Sequence, residues 1–267
     1  MAAELSPQER RDLMYGEHDL SSLAIFSGSF INYGYWFGAD PDRPITLAER
    51  TESQAEMYRQ ITARLEPGPG NRLLELGSGL GVGAALVARE IGATVAGLDR
   101  SDDQLARAAE TNAAALAEPD ARLSFHKGSV TDIPWPGGSF DGVYAIEMLQ
   151  HVDDLAATAR EIHRVLKPGG RFATATFFAP QAQEAPLADL LETVESGIDL
   201  IRPVGEFVGD LEAAGLTDVE VTSIGEHVWP YMDRWLSQTE FADTWGRNWL
   251  RCYENGWIDY YLVTARR

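Results

Sequence analysis

Hydrophobic positions along the 267-residue chain change period several times. Apolar runs of strand length, with no polar face, lie at 72–76, 94–98, 122–126, 142–146 and 171–178. Helical spacing separates them at 82–91, 103–117 and 153–166. Strands that alternate with helices and lack a polar face predict a parallel sheet covered on both sides. A further helix is predicted over 46–65, with Leu47, Met57, Ile61 and Leu65 apolar, and the run EPGPGN at 66–71 ends it. Leu166-Lys167-Pro168-Gly169-Gly170 closes a helix and turns the chain into a strand. Beyond Phe178 the rhythm breaks. Residues 179–205 read as a lid or insertion with a short helix at 187–194. A helix over 205–214 follows, and then two late strands at 219–224 and 258–264. Residues 1–45 read as irregular.

Charge narrows the partners. Forty-one acidic against 22 basic side chains leave a formal charge of −19. A surface that acidic repels phosphate backbones and anionic membranes, so neither nucleic acid nor a membrane is expected as partner. The polar opening residues lack the apolar core of a signal peptide, and no segment is apolar for the roughly 18 residues that a span needs. Cys252 is the only cysteine, which fits a reducing, cytoplasmic setting.

The stretch LLELGSGLGVG (73–83) holds four glycines in its last seven residues, directly after an apolar run. Strand, glycine turn and helix together present backbone N–H groups at a helix N-terminus. The dinucleotide spacing G-x-G-x-x-G fails: counted from Gly77 its sixth place is Val82, and from Gly79 it is Ala84. Two acidic residues accompany the turn. Glu75 lies in the strand before it and is placed to suit a cationic ligand. Asp99 ends the next strand, where an acid can take both hydroxyls of a ribose.

ELGSGLG (75–81) followed by AGLDRSDDQL (96–105) resembles the class I S-adenosylmethionine-dependent methyltransferases. GSVTDIPWPGGSFDGVYAIEMLQHVDD (128–154), LKPGGRF (166–172) and FINYGYW (30–36) resemble the same family, the last its small-molecule, natural-product branch. That branch includes macrolide-sugar O-methyltransferases and sterol and tocopherol C-methyltransferases. The resemblance implies a Rossmann-like α/β fold. Its seven-stranded sheet would be mostly parallel with the last strand antiparallel, and helices would lie on both faces. It divides the chain into an N-terminal lid segment (1–50) and a methyltransferase domain (51–267) carrying the insertion at about 179–205. S-adenosylmethionine is the implied cofactor and S-adenosylhomocysteine its product; no metal is expected, because the scattered Asp and Glu residues lack ligand spacing and the histidines lie far apart in sequence.

Residue by residue, the resemblance places Gly77, Ser78 and Gly79 on the methionine part of the cofactor, with Asp99 and Gln104 at the ribose. Ser129, Val130 and Asp132 fall at the adenine edge. The carbonyl of Ile146 meets the methionine amine, and Tyr33 closes near the sulfonium, whose positive charge an aromatic ring attracts. Methyl transfer to a hydroxyl needs alignment, exclusion of water and a base. His151 is the candidate, because histidine titrates near neutral pH and sits just past the fourth strand. Glu147 on the same turn is the second catalytic candidate. His126 and His163 read as structural, whereas His18 and His227 lie where lid segments could bring them to an acceptor.

Residues 229–261 hold ten aromatics, and Phe241, Trp245, Trp249 and Tyr253 recur every four residues. On one helix they would form a drifting stripe, read first as core or a homodimer contact and second as the wall of a pocket. The activity expected is methylation of a medium-sized, apolar or aromatic small-molecule acceptor, on oxygen rather than nitrogen or carbon. The alternative is a relative that binds the cofactor but catalyses a cyclisation or another non-methylating step.

Overall fold

The computed structural model describes residues 5–17, 23–40 and 42–267. Seven strands form one sheet in the order β3-β2-β1-β4-β5-β7-β6. They are β1 (Arg72–Leu76), β2 (Thr94–Asp99), β3 (Leu123–Lys127), β4 (Phe140–Ile146), β5 (Leu166–Phe178), β6 (Thr217–Ser223) and β7 (Asp259–Arg266). β1 pairs parallel with β2 and β4, β2 with β3, and β4 with β5, while β7 runs antiparallel to β5 and β6. The last strand alone is therefore reversed, as expected. Val143, Tyr144 and Ala145 of β4 are wholly buried, because helices cover both faces of the sheet.

The helices are α1 (Pro7–Asp12), α2 (Leu47–Arg64), α3 (Val82–Ile91), α4 (Asp102–Thr111), α5 (Ala113–Leu116) and α6 (Leu155–Val165). They continue with α7 (Leu187–Leu190), α8 (Glu192–Glu195), α9 (Val204–Ala213), α10 (Trp229–Leu236) and α11 (Asn248–Glu254). One apolar cluster lies on the face with α2, α3 and α11, where Met57, Ile61, Val87 and Trp249 meet Leu73 and Val95. The other lies beneath α6 and α9, where Leu155, Ile162, Phe207 and Leu211 meet Leu74, Val143 and Phe172.

Four elements differ from the sequence expectation. The N-terminal segment is not irregular throughout: a capping box in which Ser6 and Glu9 bond reciprocally starts α1, and one π-helical turn (Leu13–Glu17) continues it. The helix expected over 103–117 divides at Asn112, whose amide donates to Leu80 O at 3.0 Å and so ties the break to the glycine turn. The insertion helix is two single turns, α7 and α8. The aromatic stripe does not lie on one helix. Phe241 falls in a turn, Trp245 in a short 3-10 segment, and Trp249 and Tyr253 in α11.

Candidate active site

The strand order reverses between β1 and β4, and in an open α/β sheet the crevice beyond the strand ends at that point is where ligands bind. The glycine turn stands there. Gly77 N and Ser78 N both donate to Leu98 O, at 2.8 and 3.1 Å. Gly77 has φ +71°, and a side chain on it would start 2.3 Å from Met148 Cγ. Gly83, inside α3, lets α2 approach: a Cβ there would lie 1.9 Å from the ring of Tyr58.

Asp99 is fixed beside this turn. One carboxylate oxygen accepts from Gly79 N and the other from Ser101 N, both at 2.9 Å. Burial nevertheless pushes its carboxyl above the usual aspartate range. Space lies open over Gly79, where an added Cβ would meet only Gln104 Oε1 and Ile31 Cδ1, both at 3.9 Å. Gln104 is buried; its amide nitrogen donates to Tyr15 O at 2.5 Å, while among the described residues its Oε1 has no partner. The hydroxyl of Ser78 is also buried without a partner. Buried polar atoms are rarely left unpaired, so the orphaned Gln104 Oε1 beside an open glycine marks room for a polar ligand.

The other residues predicted at this site lie around it. Gly128 N donates to Asp99 O at 3.0 Å, holding the turn after β3 against the end of β2. In that turn Ser129 and Asp132 are exposed and bridge each other, and Val130 is partly buried. Ile146 ends β4, buried.

A second group gathers past β4. Glu147 takes φ +45°, and its Oε1 accepts from Tyr33 N at 2.6 Å and from the Tyr260 hydroxyl at 2.7 Å. Burial pushes this carboxyl up to about 7, against the pull of Arg50. Arg50 is itself buried and donates to the carbonyls of Ile25, Asn32 and Tyr33. The FINYGYW segment is thereby held against α2. The Tyr33 ring packs among Phe26, Phe177, Trp229 and Trp249.

His151 closes the short 3-10 turn Leu149–His151. Its Nδ1 lies 3.0 Å from Ile198 O and 3.3 Å from Asp199 Oδ1. Its Nε2 lies 2.8 Å from the Tyr15 hydroxyl. Burial lowers the imidazole pKa, and the Asp199 charge partly opposes this. A neutral imidazole that donates from Nδ1 presents the Nε2 lone pair, the form a base requires.

Comparison with known proteins identifies the family. Residues 74–174 match a family model described as a methyltransferase domain. Methyltransferase GfsG of Streptomyces halstedii is 33% identical over 213 residues, which span 78% of this chain and 72% of that protein. The 27-O-demethylrifamycin SV methyltransferase of Amycolatopsis mediterranei is 29% identical over 258 residues, 90% of each chain. The chain belongs to the S-adenosylmethionine-dependent methyltransferases. Its fold superposes on geranyl diphosphate C-methyltransferase from Streptomyces coelicolor, crystallised with S-adenosyl-L-homocysteine, with a TM-score of 0.84, 18% identity and full coverage of both chains. It also superposes on the [4+2]-cyclase SpnF with a TM-score of 0.69 at 24% identity, over 89% of this chain and 87% of that one.

The methyltransferase acts on small molecules with S-adenosylmethionine as cofactor. Its orphaned Gln104 Oε1, the Asp99 carboxylate and the space over Gly79 suit a ligand that carries amine or hydroxyl donors, as a ribose does. Among the described residues, no helix is long and apolar enough to cross a membrane.

One expectation for the methyltransferase is corrected. Glu75 does not face a cationic ligand. It is 1% exposed, caged by the hydroxyls of Tyr58 at 3.0 Å and Tyr144 at 3.2 Å, and burial pushes it up to about 8. Other histidines stay away from His151. His126 bonds Ser124 and meets Trp135 edge-on, His163 faces Gly215, and His227 stacks on Tyr35 at 4.6 Å. His18 lies outside the described residues. Tyr15, Asp199 and Tyr260, each in contact with a candidate catalytic side chain, join the candidate site with little mark in the sequence. Their only signal is position: Tyr15 and Asp199 fall within the two segments read as lids.

Proposed function

We propose that the methyltransferase moves the methyl group of S-adenosylmethionine to a hydroxyl oxygen of a medium-sized, apolar or aromatic natural product, with His151 as the base. The observation that carries this reading is the Tyr15 hydroxyl at 2.8 Å from His151 Nε2. A protein hydroxyl there has the contact that an acceptor hydroxyl needs for its proton to leave. Burial holds Tyr15 well above the usual tyrosine range, so it stays neutral and acts as a stand-in donor rather than a competing base.

Bound cofactor supplies an electrophilic methyl group and a neutral thioether leaving group. The chain does the rest. Gly77, Ser78, Gly79 and Ile146 hold the amino-acid end, Asp99 and Gln104 the ribose, and Ser129, Val130 and Asp132 the adenine edge. The N-terminal segment (1–50) and the insertion (179–205) cover the site and exclude water, with Tyr33 on the inner side. Arg11 supports that cover by donating to Ile198 O at 3.0 Å and Gly197 O at 2.8 Å, which ties the two segments to each other. Glu147 orients the acceptor at the edge of the aromatic cluster of Tyr33, Phe177, Trp229 and Tyr260. The rifamycin relative, named for methylating an O-demethyl compound, supports oxygen as the target.

The test is an acceptor screen. Methyl-labelled S-adenosylmethionine is incubated with hydroxylated polyketides and phenols, and the labelled position is read by NMR. Label on an oxygen supports the proposal, and label only on carbon or nitrogen overturns it. An acceptor converted to an unlabelled, cyclised product favours the second reading, a cofactor-binding cyclase, for which the superposition on SpnF is the supporting observation.

A further inference from the structure

The insertion brings one more side chain to the base. Asp199 is buried, and its Oδ1 lies 3.3 Å from His151 Nδ1. The backbone on either side pins it there. Ile198 O sits 3.0 Å from the same Nδ1, Leu200 N donates to Gln150 O at 2.8 Å, and Asp199 N donates to Thr193 O at 2.9 Å. The two contacts on Nδ1 do different work. The Ile198 carbonyl is the closer acceptor and fixes which ring nitrogen carries the hydrogen. The Asp199 carboxylate supplies charge.

We infer that Asp199 is the positioning residue of the base: it supplies the negative charge that stabilises His151 as the imidazolium formed when Nε2 takes the acceptor's proton. This rests on His151 being the base. The step is a single proton transfer. The acceptor O–H bond breaks, the new N–H bond forms at Nε2, and the Nδ1 hydrogen stays in place between Ile198 O and Asp199. No proton passes to Asp199.

Among the described residues, the charged and titratable groups facing the imidazole all enter the balance. Tyr15 and Arg11 come from the N-terminal segment, and Arg11 opposes protonation of the ring. Asp199 comes from the insertion and favours protonation. On the turn that carries His151, the Glu147 carboxyl is raised by burial and in small part by the Asp199 charge, and the exposed Asp153 pairs with Arg11 at 3.4 Å. Asp199, whose own carboxyl burial raises and the facing His151 lowers, is thus the charge that partly opposes burial and Arg11, beside the Ile198 carbonyl, which also favours the protonated ring. An opposite charge at this range moves a pKa by roughly 1–3 units.

The test reads the imidazole itself. The full chain, 15N-labelled on histidine and saturated with S-adenosylhomocysteine, is titrated by NMR, with His151→Gln assigning the signal. Asp199→Asn keeps shape and removes charge. It is expected to lower the His151 midpoint by about one pH unit or more, a tenfold or greater loss of proton affinity, with the Nδ1–H tautomer retained. Asp199→Glu, which keeps the charge, is expected to restore most of it. An unchanged midpoint in Asp199→Asn overturns the inference. If that variant does not fold, Asp199→Ser carries the same expectation and the same overturning result. Failure of the base reading shows elsewhere: His151→Ala would then turn over normally, whatever Asp199 does to the ring.

Discussion

The Tyr15 hydroxyl lies 2.8 Å from His151 Nε2, although 136 residues separate the two in the chain. The segment that folds over the site therefore brings its own hydroxyl to the group proposed to deprotonate the acceptor. His151→Ala should lower turnover by about 10²–10⁴-fold, the range for loss of a positioned base, and leave S-adenosylhomocysteine affinity within about twofold. Turnover assays paired with calorimetry check both halves, and a large fall in cofactor affinity would make His151 part of the binding site instead.

Tyr15→Phe separates a stand-in from a relay. If the acceptor hydroxyl displaces that of Tyr15, the variant should keep kcat within a few-fold and bind the acceptor no more weakly, since it removes a competitor for Nε2. A kcat loss of about 10²-fold or more would show that the tyrosine hydroxyl passes the proton. Steady-state kinetics with the acceptor found by labelling decides between them.

Buried carboxyls make stability depend on pH. Folding raises Glu147 to about 7 and Glu75 to about 8, from an ordinary value of 4.5. Between those limits the folded chain holds protons that the unfolded chain has lost. Stability from these groups is thus highest below about pH 4.5, falls as pH rises through 7 and 8, and is flat above. Glu75→Gln removes one of the two contributions. It should melt higher than the parent at pH 8.5, and the advantage should shrink or reverse at pH 5, where the parent carboxyl is already neutral. Thermal melts of cofactor-free protein across that range check the sign.

Gly83→Ala tests the packing that sets the turn. The new methyl would lie 1.9 Å from the Tyr58 ring, which is itself anchored to Glu75 at 3.0 Å and cannot swing away freely. Overpacking of this kind costs about 1–3 kcal/mol. A denaturant midpoint equal to that of the parent would show that α2 and α3 adjust without strain.

The sheet was legible because its strands are buried on both faces. β1 falls on the predicted residues, and the first residue of β2 does too. The glycine turn and Asp99 were legible as a pair, and the structure joins them through Gly79 N. The aromatic stripe misled for a physical reason. Spacing by four suits a helix, but Thr239 donates to Leu236 O and Thr244 to Phe241 O, so local side-chain bonds stop the helix before Trp245. Ser6-Pro7-Gln8-Glu9 carried the α1 capping box in plain view, yet so short a helix gives no periodicity to reinforce it. Asp199 and Tyr15 were legible only as members of the two lid segments, because their contacts join distant parts of the chain and a single polar residue in a loop has no period.

The central claim is that the crevice from Gly77 to Gln104 holds S-adenosylmethionine by way of Asp99. Calorimetric titration of the parent and of Asp99→Ala with S-adenosylhomocysteine tests it most directly. Micromolar binding to the parent is expected, with at least tenfold weaker binding to the variant and no binding of NAD to either. Equal affinity in parent and variant, or binding of NAD alone, would contradict it.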